Sequence, residues 1–517
     1  MTEPGQMSHP HTEREVEHKF RVHGLFNVPD LHGVEGVDAV DDLGTVELVS
    51  SYFDTPDLRL AREGITLRRR TGDDQGWHLK IPADRTSSEV RDEIRLPLEA
   101  SAAAPPVALL DIIRVIVRTA PVQLVSVLRT DRSKLEIRNG KGRPVAELVD
   151  DTVHVISPDG TVTARFRELE LEQRQAGKVL DHVAEALASA GAVSGEFVAK
   201  VVRALGPAAA SAAEIPPAEP PQPDSPAGSA ATAYVVKQAR ALRDADIAFR
   251  RHPEQSEDAV HKMRVAARRL RSAIRTFRPL LDPGWAGHMR GELAWFARGL
   301  GELREYEVLR ARLRAHVTEL PAEVPAERAR QYLDAELETS VQRARAAASE
   351  LLGAGRYVAL HEEFARTGGR PPLTGQDPGL ARDVLPQLVR GAWERLWSAA
   401  SDLNGESDPQ QWHDVRLLAK RTRYAAECVA LALGDDARAF ARQMERLTEL
   451  LGEHQDAAQA GELLERLAQQ SHDTETAFGL GALATIERGY AREARQRFAS
   501  IWLQASHPRW RGWFTAL

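Results

Sequence analysis

The chain has 517 residues, enough for two or more domains that each bury a core. With 43% hydrophobic and 28% charged residues it has the composition of an ordinary soluble protein, and its net charge of −7 excludes a general polycation, so any anion site must come from local clustering. A single cysteine, Cys428, excludes an intrachain disulfide, fits a reducing compartment and reads as a small core residue.

The chain opens on MTEPGQMSHPHTEREVE, a polar stretch with no apolar core, so no signal peptide is expected. His9 and His11 lie in this tail, which is expected to be disordered. No apolar run of membrane-spanning length follows, and the expected location is the cytoplasm. Alternating patterns over Glu13–Val22, Ile65–Arg70, Trp77–Ile81, Glu89–Leu96 and Arg167–Glu172 predict strands. Side chains alternate between the faces of a strand, so Glu15, Glu17 and Lys19 share one face. Arg68 and Arg70 lie opposite Ile65 and Leu67. Lys80 lies opposite Trp77, Leu79 and Ile81. Arg91, Glu93 and Arg95 share a face, as do Glu168, Glu170 and Glu172.

Each strand therefore pairs a largely apolar face with a charged one, and several charged faces are nearly pure basic or pure acidic. A solvated outer face needs no such segregation. A sheet closed with its charges inward could grip a polyphosphate with the basic strands and hold a bridging divalent cation with the acidic ones.

Glu15-x-Glu17-x-Lys19 resembles the signature of the CYTH family, the triphosphate tunnel metalloenzymes. Tyr52-Phe53-Asp54-Thr55, Leu67-Arg68-Arg69-Arg70, Lys80, Arg91 and Phe166-Arg167-Glu168-Leu169-Glu170 extend the resemblance in the family's order over residues 13–205. It implies an antiparallel eight-stranded tunnel and dependence on Mg²⁺ or Mn²⁺. Glu15, Glu17, Glu168 and Glu170 would hold the metal, with an aspartate from Asp150-Asp151, taken as Asp151. Lys19, Arg68, Arg70, Lys80 and Arg91 would bind phosphate oxygens, joined by Arg129 and Lys200 as later basic positions. Glu17, Lys19 and Arg70 are the expected catalytic residues. The inward side of Arg132 and Lys134 stays open, because strand parity there cannot be read. The implied activity is hydrolysis of inorganic triphosphate. Thiamine triphosphate, a nucleoside triphosphate or adenylate cyclase chemistry are alternatives within the family, and a non-catalytic scaffold is another.

Gly206 to Ala231 carries seven prolines among Ala, Ser and Glu and reads as a semi-extended linker between a domain at 10–205 and one at 232–517. Beyond it the Ala-, Leu-, Arg- and Glu-rich chain predicts helices only. Gly353-Ala354-Gly355 reads as a helix break.

The helical half also repeats itself. HKMRVAARRLR from His261 aligns without gaps on HDVRLLAKRTR from His413, and Leu300-Gly301-Glu302 matches Leu451-Gly452-Glu453 at nearly the same offset. At about 100° per residue, His261, Arg264, Arg268, Arg271 and Arg275 fall within an arc of roughly 80°. His413, Arg416, Lys420 and Arg423 form a similar arc. A one-signed stripe costs repulsion without a partner, so it reads as an anion-binding surface, with a solvated face or an ion-pair partner for acidic helices as the alternative.

This half resembles the CHAD domain, the conserved histidine α-helical domain, over residues 228–517. The resemblance implies binding of inorganic polyphosphate through His261, Arg264, Arg268, Arg271, His413, Arg416, Lys420 and Arg423. Association with polyphosphate granules follows from it, whereas a specific nucleic acid or a membrane is not expected as a partner. Glu305-Tyr306-Glu307 departs from the family's aspartate-rich turn, which the second copy keeps as Asp456. The chain is thus expected to join an N-terminal antiparallel β-barrel or tunnel to a C-terminal all-α helical bundle with internal duplication.

Overall fold

A computed structural model describes residues 11–83, 90–98, 104–194, 198–251, 256–375 and 378–515, so His9 lies outside the described residues. The chain divides into two compact units, Met1–Glu214 and Ile215–Leu517.

The first unit is built on β1 (His11–Arg21), β2 (Ala39–Asp54), β3 (Thr66–Gly72), β4 (Gly76–Pro82), β5 (Val90–Leu96), β6 (Gln123–Arg138), β7 (Pro144–Ile156), β8 (Val162–Gln173) and the two-residue β9 (Val193–Ser194). The order is β5-β4-β3-β2-β6-β7-β8-β1-β9, and β1 also pairs with β5. Eight antiparallel strands therefore close into a tunnel-like ring, with β9 added beside β1. His11 belongs to β1 rather than to a loose tail. Strands β2, β6 and β7 lie outside the predicted alternations. They are long and interrupted, with a register shift between Asp42 and Thr45 in β2.

The apolar strand faces point outward and are covered. Helix α4 (Val179–Ser189) buries Leu180, Val183 and Leu187 with Phe20, Ile137, Leu148, Leu169 and Leu171. On the other side Leu67, Trp77, Leu79 and Ile94 are buried, as are Leu60 of α1 (Arg59–Arg62), Ile112 of α2 (Val107–Ile112) and Ile116 of α3 (Arg114–Val117). Hydrophobic burial therefore clamps the ring from outside and leaves its interior to charge. Asp54 is structural: its carboxylate accepts from the backbone N–H groups of Thr55, Leu60 and Ala61 at 2.7, 2.9 and 2.9 Å. Helix α5 (Lys200–Leu205) packs Val201 against Tyr52, Leu128 and Val153.

The second unit is helical: α6 (Ala227–Arg251), α7 (Ser256–Thr276), α8 (Pro283–Gly299), α9 (Gly301–Val317), α10 (Ala326–Gly353), α11 (Gly355–Arg366), α12 (Ala381–Ser401), α13 (Pro409–Leu433), α14 (Asp435–Gln470), α15 (Thr474–Ala505) and α16 (Gly512–Thr515). The helix break at Gly353–Gly355 is present, and Cys428 is buried. Helices α7 and α13, which carry the two copies of the repeat, pack against each other. Met263, Leu270, Ile274 and Phe277 are the buried stripe of α7. The repeats differ at their glycines. The first copy breaks between α8 and α9 at Leu300, whereas α14 runs straight through Leu451-Gly452-Glu453.

The proline-rich stretch is not a free linker to Ala231. Ile215 is buried, and its carbonyl accepts from Arg240. The chain from Pro223 to Ala227 bonds to Gly379–Arg382, and α6 already begins at Ala227. Ala227, Ala230 and Ala231 are small enough to pack inside, which composition alone did not reveal. Among the described residues no helix is long and apolar enough to cross a membrane.

Candidate active site

Inside the ring lies a cavity of about 260 Å³. β1 supplies Glu15, Glu17 and Lys19, β3 supplies Arg68 and Arg70, and β4 supplies Lys80. Arg91 and Arg95 come from β5, Arg132 and Lys134 from β6, Glu170 and Glu172 from β8, and Lys200 from α5. Among the described residues ten cations and seven carboxylates line the cavity, so its wall suits a polyanion.

Its deepest part is an ion-pair knot. Lys19 Nζ lies 2.5 Å from Glu170 and 3.4 Å from Glu17. Lys200 Nζ lies 3.0, 3.1 and 2.6 Å from Asp151, Glu168 and Glu170. Arg132 grips Asp151 with two bonds of 2.8 and 2.6 Å. Buried charges persist only when paired in this way. Burial opposes ionisation of Glu170, yet Lys19, Lys200 and Arg132 hold its carboxyl well below the usual range. Burial and Glu170 would likewise raise Glu17, but Lys19, Lys80 and Arg91 together outweigh them and the carboxyl stays low.

Nearer the mouth, Glu93 is fully buried and joins Arg95 at 2.6 Å, His78 at 3.1 Å, Arg68 at 3.4 Å and Lys80 at 3.5 Å. Lys80 also bonds Glu15, whose carboxyl is nevertheless pushed up to about 7 by burial and by Glu93. Arg70 falls to about 10 through burial and crowding by Arg68 and Arg132. The buried Nε–H groups of Arg68 and Arg91 have no acceptor among the described residues. Such donors fit an anion inside the ring.

Oxygens of Glu17, Glu170 and Glu172 lie within 4.8 Å of one another. Burial, then Glu170 and Glu17, raise Glu172, the signature of carboxylates crowded together without enough positive charge. An all-oxygen set of this kind fits a hard divalent cation such as Mg²⁺ or Mn²⁺.

Of the expected metal residues, Glu17 and Glu170 belong to this set. Glu15 is turned to Lys80, and Asp151 and Glu168 are held by Arg132, Lys200 and Arg203. Glu172 was missed, although its alternation with Glu168 and Glu170 already placed it on their face. Asp151 is the inward member of its pair, since Asp150 binds Arg167. Arg129 is a correction. It does not line the cavity and lies 3.9 Å from Glu47, about half exposed, because the inward parity of β6 runs through Thr130, Arg132 and Lys134.

In the helical unit the two copies converge. Arg268 stands 5.5 Å over the ring of Tyr424. Burial, then Arg416 and Arg268, push Lys420 down to about 8. Arg271 and Arg275 are lowered by burial and by Arg290, Arg298, Arg395 and Arg421. His261 and His413 stand at the N-terminal ends of their stripes, with His413 3.4 Å from Gln455. Two expected anion-binding residues have other bonds. Arg264 donates to the carbonyls of Leu300, at 2.8 Å, and Gly301, closing the break between α8 and α9. Arg423 is tied to Glu427 at 2.7 Å and to Glu445. Arg416 lies 3.8 Å from Asp456.

Comparison with known proteins agrees with both units. The CYTH domain model matches residues 13–205 and the CHAD domain model residues 233–465. The uncharacterized proteins MT2285 and Rv2226, from two strains of Mycobacterium tuberculosis, are each 31% identical over 516 residues, covering 96% of either chain. Among solved structures, PptA from Streptomyces chartreusis is 28% identical, covering 54% of this chain and 99% of its own at a TM-score of 0.47. The CHAD domain of the plant Ricinus communis is 23% identical, covering 58% and 95% at a TM-score of 0.41. The chain belongs to the family that joins a CYTH domain to a CHAD domain.

Proposed function

We propose that the protein is a metal-dependent triphosphatase that cleaves inorganic triphosphate to diphosphate and phosphate, and that its helical unit binds inorganic polyphosphate. One observation carries the first part. The cavity is walled by ten cations around a carboxylate set, and among the described residues only Tyr52 and Ala199 offer apolar surface. A nucleobase or thiamine ring has only the Tyr52 ring to stack against there, whereas a bare phosphate chain finds donors on every side.

Glu17, Glu170 and Glu172 would hold the divalent ion, which supplies charge neutralisation on the phosphate oxygens. Lys19, Arg68, Arg70, Lys80, Arg91 and Lys200 position the chain and neutralise charge developing in the transition state. Glu15, pushed up to about 7, accepts a proton from the attacking water. The water oxygen bonds the terminal phosphorus, the bridging P–O bond breaks, and its electrons leave with diphosphate.

Support for the second part is the carboxylate-poor face formed by Arg268, Arg271, Arg275 and Lys420. Phosphate release from triphosphate, thiamine triphosphate and ATP, with Mg²⁺, Mn²⁺ or excess chelator, tests the enzyme. Metal-dependent release strongest on triphosphate is expected. Equal release in chelator, or a preference for ATP, would overturn the assignment.

A further inference from the structure

The hairpin turn between β3 and β4 puts two carboxylates into the cavity mouth. Asp73 bonds Lys134, and Asp74 lies 3.3 Å from Arg70 and 3.2 Å from Arg95. The turn is pinned from behind, since the His78 ring nitrogen Nε2 lies 3.0 Å from the Asp74 carbonyl. Asp74 holds φ at +52°, a left-handed conformation that Asp and Asn tolerate better than most residues.

The side chains of this group mark an open end. Asp73 is 36% exposed, Asp74 37%, Arg95 35% and Lys134 21%, against 4% for Glu17 and 8% for Lys200. At the opposite end α5 packs Val201 on Tyr52, Leu128 and Val153. The Asp73–Asp74 end is therefore the more open one, by which a phosphate chain would enter.

Both carboxylates sit on cations that would otherwise grip phosphate. Arg70 has Asp74 as its carboxylate partner, with Ser50 3.5 Å from its Nε. A phosphate entering the mouth must displace a carboxylate, and a phosphate that stays there must lie beside two negative charges. The deep site differs, because the carboxylates that Lys19 and Lys200 share there include Glu17 and Glu170, whose charge a divalent ion would offset.

Resting on the triphosphatase reading, we propose that the Asp73–Asp74 turn sets the chain-length limit of the substrate. It leaves room for three phosphates in the interior and repels a fourth at the mouth. The turn is a specificity element and takes no part in the chemical step.

The test compares kcat/KM for triphosphate and for inorganic tetraphosphate in the full chain with Mg²⁺. The D73N/D74N variant removes both charges while keeping side-chain shape and tolerance of the Asp74 conformation. Its tetraphosphate-to-triphosphate ratio should rise about tenfold, the scale of a like-charge contact at about 4 Å screened largely by water, and the rise should lie in KM. D73E/D74E keeps the charges and should keep the wild-type ratio. An unchanged ratio in D73N/D74N, or an equal loss on both substrates, overturns the proposal. So does a fall on both in the manner of a lost metal ligand. If the wild-type chain hydrolyses neither substrate, the triphosphatase reading fails separately. The ratio is then read from calorimetric dissociation constants of the two chains in an R268E/K420E background, which suppresses binding by the helical face. An equal ratio there with and without D73N/D74N also overturns the proposal.

Discussion

The two basic regions of this molecule solve the problem of like charge in opposite ways. In the ring almost every cation has a carboxylate within reach: Lys19 has Glu170, Lys200 has three, and Arg132 has Asp151. On the helical unit Arg271 and Arg275 have mainly other arginines as electrostatic neighbours. Enclosed charges must be paired before the ligand arrives, because a bare buried ion costs several kcal/mol. Half-exposed charges on helices can stay unpaired, since water and salt screen them. The first arrangement suits a short anion bound with a metal in one geometry. The second suits a long flexible anion bound by counterion release, with no fixed register.

Removing the metal-binding charge should break the first arrangement most completely. Glu17→Gln leaves Glu170 and Glu172 as an incomplete set and should abolish triphosphate hydrolysis while the melting temperature stays near wild type. Turnover at the wild-type rate would show that the ion, if any, sits elsewhere. Arg70→Ala comes next. Losing a donor aimed at developing charge should cost about 2–4 kcal/mol of transition-state stabilisation. A change seen only in KM would assign Arg70 to ground-state binding instead.

The helical face should respond to salt where the ring does not. Polyphosphate affinity of the full chain should fall at least about tenfold between roughly 50 and 200 mM salt, by analogy with counterion release from nucleic acids. KM for triphosphate, set inside a paired enclosure, should move less. R268E/K420E should remove most polyphosphate binding. Arg264→Ala should instead lower the melting temperature, because that guanidinium bonds the Leu300 and Gly301 carbonyls. If R268E/K420E binds polyphosphate normally, the duplicated stripe is structural.

A smaller effect concerns proton transfer in the ring. With Glu15 pushed up to about 7, the base form grows as pH rises, so kcat/KM should climb through pH 7 and level off. Glu15→Gln should lower the plateau and flatten the rise. A profile unchanged by the substitution would remove Glu15 from the reaction.

Much of the ring was legible because period-two alternation is written directly in β1, β3, β4, β5 and β8. There a charged face and an apolar face can be told apart residue by residue. It does not extend to β6, where Leu128-Arg129-Thr130-Asp131-Arg132 mixes charge on both faces: Arg129 rests on the resemblance alone, and parity leaves Arg132 open. Only pairing with Asp151 across β7 resolves the parity. Ion-pair partners were also invisible. Nothing in local spacing says that Glu93 gathers Arg68, Lys80 and Arg95, or that Glu168 serves Lys200 and Arg203 more than a metal. In the helices the stripe was readable from its period. The attachments of Arg264 to Leu300 and Gly301 and of Arg423 to Glu445 were not, because those partners lie far along the chain, outside the two stripe helices.

Lys420 offers the finest distinction between the two regions. Burial, Arg416 and Arg268 bring its ammonium down to about 8, whereas burial of Lys200 is outweighed by Glu170, Asp151 and Glu168, which raise it. Below pH 8 Lys420 is charged and available to a polyanion. As pH rises through 8 the free protein loses that charge, while a bound phosphate chain favours keeping it. Binding at pH 8–9 should therefore take up a proton, and affinity should decline over that interval. The expected fall is a few-fold, the share of one phosphate contact among several. Arginine stays charged throughout this range, so Lys420→Arg should hold the affinity level from pH 7 to 9. Lys420→Met should be weak at both ends and equally flat. Dissociation constants for long-chain polyphosphate at pH 7, 8 and 9 in constant salt read this directly. A decline that persists in Lys420→Arg would assign the titration to another group and leave Lys420 outside the contact.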